Sequence, residues 1–142
     1  EPKNGALESI EELALIKGFS PQIFEQLREY LTIYGSGKIN VNAASKEVLL
    51  FIPIMTPEIA DEIIQTRTKE GVINNIDVLQ ELFRHFGIIG SNFQKITNYL
   101  TTDDSNYVTI TSVASSDKIK SSYKIVARKD MDSCKIIAAY PE

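Results

Sequence analysis

At 142 residues, 43% of them hydrophobic, the chain can fill one core or two small ones. It has no uninterrupted apolar run of the ~18 residues that a membrane span needs, which excludes a spanning helix within it. The net charge of −4 is uneven: residues 1–104 hold nine Lys and Arg against fifteen Asp and Glu, and residues 105–142 hold six against four. An acidic first part with a mildly basic end is a poor electrostatic match for a polyanion.

The chain opens on polar residues at Glu1 with no targeting segment. It is therefore expected to be a piece of a longer protein, with any membrane anchor lying upstream. Residues 9–31 read as a first pair of helices. Ser9 with Glu12 fits a capping box, Leu13 and Ile16 give an apolar stripe, and Lys17-Gly18-Phe19 breaks the helix. Ser20-Pro21 caps the next one, which carries Ile23, Phe24, Leu27, Tyr30 and Leu31.

Residues 35–67 organise the rest. Gly35-Ser36-Gly37 is a turn, and Ile39-Asn40-Val41-Asn42 alternates apolar and polar and should lie extended. Ser45 caps a helix with Val48, Leu49 and Ile52 on one face, and Pro53 stops it. Thr56-Pro57 opens a second helix with Ile59, Ala60, Ile63 and Ile64 as its stripe, joined through Ile54-Met55. This is a helix–hairpin–helix. It repeats the first pair at a shift of 36: Ser9 falls on Ser45, Leu13 on Leu49, Ser20-Pro21 on Thr56-Pro57, Leu27 on Ile63. A third copy follows, with Asn75 as cap before Val78, Leu79 and Leu82, and then Phe93, Ile96, Tyr99 and Leu100. At a shift of 69 it needs a three-residue insertion, which the long connection RHFGIIG would hold. Such small helix pairs cannot bury their own apolar faces, so the copies should pack together.

After the polar stretch Thr101–Asn106 the period changes to two. Tyr107–Val113, Tyr123–Lys129 and Cys134–Tyr140 read as strands, the last two joined by the turn Asp130–Ser133. The fold class is therefore α+β, with a helical domain over residues 1–102 and antiparallel strands over 103–142.

The residues carry little chemistry. His85 stands alone beside Arg84 and Phe86 and suits a surface. Cys134 lies in an apolar run and is expected to be buried and inert. Gly35-Ser36-Gly37-Lys38 lacks the spacer and first glycine of a phosphate loop. Asp103, Asp104, Asp130 and Asp132 are oxygen donors in turns, the weak calcium candidates, but neither pair sits in a DxDxDG loop with a closing Glu. No cofactor is expected, and no enzyme. In a DNA-binding helix–hairpin–helix, hairpin glycines let backbone amides approach a phosphate. Here the hairpin is Pro53-Ile54-Met55-Thr56, without glycine or base, and residues 43–70 hold three basic against five acidic groups. Ile54 and Met55 are candidate partner contacts, or else pack between repeats.

Residues 9–53, and above all LTIYGSGKINVNAASKEVL, resemble protein K of the type II (general) secretion system, a minor pseudopilin. Lys38, Asn40, Asn42, Ala44 and Glu47 fall on that family's motif, and Ser45 stands where proline is usual. The INxNxA core is shared with helix–hairpin–helix DNA receptors, while the preceding LTIYGSGK and the terminal strands favour the secretion family. The resemblance implies a SAM-like helical insertion followed by strands of a pilin-like sheet. It also implies a non-enzymatic role at the tip of the periplasmic pseudopilus, where the partners are the other minor pseudopilins. The membrane would be reached only through an N-terminal helix absent from this chain. The alternative is a helix–hairpin–helix DNA-uptake receptor.

Overall fold

The computed structural model describes residues 5–117 and 119–141. A 3-10 helix, Ile10–Leu15, opens the helical part, and α1, Pro21–Leu27, follows it. The capping box expected at Ser9 does not form. The Ser9 side chain makes no cap bond, and the Glu12 carboxylate accepts the Glu8 amide at 2.8 Å instead. At Ser20 the expectation holds, its hydroxyl accepting the Ile23 amide at 3.3 Å.

The turn at Gly35–Gly37 leads into β1, Ile39–Asn40, and then α2, Lys46–Leu50, α3, Pro57–Glu70, α4, Ile76–His85, and α5, Gly90–Thr97. Ser45, Thr56 and Asn75 each accept a backbone amide of the first turn, so three more caps stand where they were expected. The extended segment is shorter than expected, because Val41 and Asn42 turn away after β1. Leu100 leaves its helix too. Leu100–Thr101 form β2, which pairs with β1 in parallel, Ile39 opposite Leu100 and Asn40 opposite Thr101. No local period announces two-residue strands about sixty positions apart.

The core is built by the second and third helix pairs alone. Val41, Leu49, Ile59, Ala60 and Ile63 pack with Leu79, Phe83, Ile96 and Leu100, and the rings of Phe83 and Phe93 lie 5.8 Å apart. The first pair does not join this core. Leu49 is fully buried, while Ile16 and Leu15 are exposed, and the pair touches the second through the Tyr30 and Phe51 rings, edge-on at 5.9 Å. The first copy repeats the pattern of the others but buries only Phe24, which lies outside their core.

The chain ends in a meander of β3, Tyr107–Ser115, β4, Lys120–Lys129, and β5, Cys134–Pro141, in the order β3-β4-β5. Val108 stands opposite Ala127, Ile110 opposite Ile125, and Ala127 opposite Ile136. Residues opposite one another point to the same side, so Val108, Ile110, Tyr123, Ile125 and Ile136 share one apolar face. Val108, Ile110, Tyr123 and Ile136 on it are exposed. Cys134 is exposed as well, against expectation: it begins an edge strand of a sheet whose faces are largely uncovered.

Candidate functional site

Within the Lys38–Glu47 motif, Asn40 and Asn42 form a structural joint. The Asn42 side chain donates to the Ile73 carbonyl at 3.1 Å and the Thr102 carbonyl at 3.3 Å, and its Oδ1 accepts the Ile73 amide at 2.8 Å. Asn40 donates to the Asp103 carbonyl at 3.0 Å and accepts the Asn42 amide at 2.8 Å. Two amide side chains thus tie the segment before α2 to the loop after α3 and to the chain leaving the third helix pair. Arg67 of α3 completes the joint, one guanidinium nitrogen reaching the Val41 carbonyl at 2.7 Å and the Ala44 carbonyl at 2.8 Å. Its role was not readable in the sequence, since nothing local to α3 marks a residue that bonds a turn some twenty-five positions earlier. Lys38 is exposed. Glu47 sits in the first turn of α2, where its own amide, then the Ser45 hydroxyl, hold its carboxyl below the usual range.

The hairpins share one backbone device. Gly18, Ile54 and Gly87 occupy the same place in the three copies and all have positive φ, +95°, +73° and +72°. Glycine takes this conformation readily, and a β-branched residue does not. Ile54 is the sole non-glycine with positive φ among the described residues. The hairpin shape of the second copy is thus kept without the residue that makes it cheap. In the third copy the turn is a Schellman motif: the Ile88 amide bonds the Phe83 carbonyl at 3.0 Å and the Gly87 amide the Arg84 carbonyl at 2.9 Å. The extra residues of this copy lie in α4, not in the connection as expected. Asn75 caps three positions ahead of the repeat register, while Gly87 keeps to it.

Of the two candidate contacts, Ile54 is exposed and Met55 is buried in the core between helix pairs. His85 is exposed at the end of α4. The acidic turns are engaged locally. Asp103 bonds Thr101 through its amide and its carboxylate. Asp130 pairs with Arg128, Nε to Oδ1 at 3.3 Å, and raises the guanidinium pKa further. Asp104 and Asp132 are exposed. Among the described residues no three His, Cys, Asp or Glu side chains gather as metal ligands.

A cleft of about 770 Å³ lies where the glycine turn meets the start of the sheet. It is walled by Tyr30–Asn40 and by Thr101 and Asp103–Tyr107, and the Tyr34 and Tyr107 rings stack at 5.8 Å beside it. It brings Lys38 near Asp103 and Asp104 and holds no nucleophile paired to a base.

No helix of the described residues is long and apolar enough to cross a membrane. No curated protein and no solved structure matches the chain. Residues 35–101 match the model of the helix-hairpin-helix motif, a span that begins at the glycine turn and ends with β2, and so covers the two helix pairs that share the core.

Proposed function

We propose that this chain is the periplasmic part of a minor pseudopilin of the type II secretion system, a non-enzymatic tip component that assembles with the other minor pseudopilins. The observation that carries the reading is the terminal sheet. Val108, Ile110, Tyr123 and Ile136 stand exposed on one face, and β3 presents a nine-residue edge without a charge or a proline. Soluble proteins protect such edges, and a strand left open and uncharged is suited to pairing with another. The Lys38–Glu47 motif adds support, because its two asparagines bond the backbone at Thr102 and Asp103, where the chain leaves the helices for the sheet. The central hairpin weighs against nucleic acid: Ile54 replaces the glycine whose amide would meet a phosphate, and no basic residue stands in the hairpin. Membrane attachment, in this reading, belongs to an N-terminal helix outside the chain.

Capture by the soluble domains of the sister pseudopilins, set beside a labelled-duplex titration at low salt, tests the reading. A stable pseudopilin complex with no shift of the duplex is expected. Salt-sensitive duplex binding without pseudopilin capture would overturn it in favour of an uptake receptor.

A further inference from the structure

A second depression, of about 580 Å³, runs between α3 and α4 on the side of the helical unit. Its floor is apolar, with Val78 and Leu82 of α4 and Phe86 just past its end spaced by four. Val78 and Phe86 are 38% and 39% exposed, so the floor is open to solvent. Its rim carries three carboxylates and one imidazole: Glu62 and Glu70 stand two turns apart on α3, and Glu81 and His85 face them from α4. Other carboxylates on these elements find cations, Asp61 with Lys46 at 2.6 Å and, on the rim itself, Glu81 with Arg84 at 2.9 Å. Glu62 and Glu70 have no ion pair among the described residues.

We infer that this groove docks a basic amphipathic helix of another polypeptide. The apolar side chains of that helix seat on Val78, Leu82 and Phe86, and Lys or Arg two turns apart meet Glu62 and Glu70. The spacing selects the occupant. Eight residues of α3 separate the two carboxylates by about 12 Å, far too wide to share a metal ion and matched to side chains at i and i+7 or i+8 of a facing helix. A nucleic acid is repelled by the same rim. Among the described residues, a second copy of the chain offers no helix with basic residues in that pattern. The inference stands on the groove alone and holds whether or not the secretion reading does.

The test titrates the whole chain with a fluorescein-labelled Leu/Lys amphipathic helix of about four turns, read by anisotropy. Saturable one-site binding is expected. Glu62→Gln with Glu70→Gln should weaken it about tenfold, as should Phe86→Ala, and added salt should weaken the wild type. Glu11→Gln with Glu29→Gln removes equal charge outside the groove and should leave the affinity unchanged. Circular dichroism confirms that each variant is folded, and Val78→Ser substitutes for Phe86→Ala if that protein unfolds. Absence of binding, equal weakening by both charge pairs, or equal binding of a Leu/Glu helix would overturn the inference.

Discussion

Asn42 shows how much one amide can do. It satisfies the Ile73 amide and carbonyl and the Thr102 carbonyl at once, at partly buried positions where water is a poor substitute. Asn42→Ala should cost about 1–3 kcal/mol, the penalty of leaving such groups unpaired. Urea unfolding measures it, with Ser91→Ala as a surface control near zero. The residue was visible in the sequence as part of a motif, but its task was not, because its partners lie about thirty and sixty positions away. Caps were legible for the opposite reason: Ser20, Ser45, Thr56 and Asn75 act within three residues of themselves. Ser9 failed by the same local logic, since Glu12 bonds Glu8 and the segment tightens to a 3-10 helix. Cys134 was misread because an apolar run was taken to mean burial, and this run lies on an uncovered sheet.

At the scale of the element, the helix–hairpin–helix survives changes in its own chemistry. Three hairpins keep one positive-φ residue in register, two with glycine and one with Ile54. A left-handed residue bearing a Cβ costs roughly 1–2 kcal/mol, and Ile54 recovers only part of that from packing, being about half exposed. Ile54→Gly should therefore stabilise the protein by about 1 kcal/mol, seen as a higher thermal midpoint. It should not create duplex binding, because the hairpin still lacks cations. Helices and repeat register were readable from apolar spacing. The conformation of Ile54 was not, since its side chain argues against the angle that its neighbours impose. The insertion in the third copy was placed in the wrong element for a similar reason: the glycines of RHFGIIG suggest a long loop, yet α4 runs on to His85 and the turn itself is short.

Across the whole molecule, apolar burial is concentrated in residues 39–101. There Val41, Leu49, Ile63, Leu79, Phe83 and Ile96 are fully buried, while the sheet buries little beyond Val126 and Ala127. Regions with few buried apolar contacts open at lower free energy. Amide exchange should accordingly be slowest in α3 and α4 and markedly faster in the edge strands β3 and β5; the reverse order would show that the sheet is the more stable part. The division into helices and strands was legible because the apolar period changes from helical to alternating near Thr101. The core's restriction to two of the three helix pairs was not, since the first copy carries the same pattern at its surface.

The short parallel pairing of β1 with β2 has a consequence for how such a protein can be assembled from parts. It brings the points where the chain enters and leaves the second and third helix pairs side by side, about 4.8 Å apart and heading the same way. A unit whose two ends meet can be spliced into a surface loop of a host fold without prising its strands apart, and can be lengthened, exchanged or lost in the same manner. The pairing of Ile39–Asn40 with Leu100–Thr101 thus acts as a clasp that makes the helices a portable cassette.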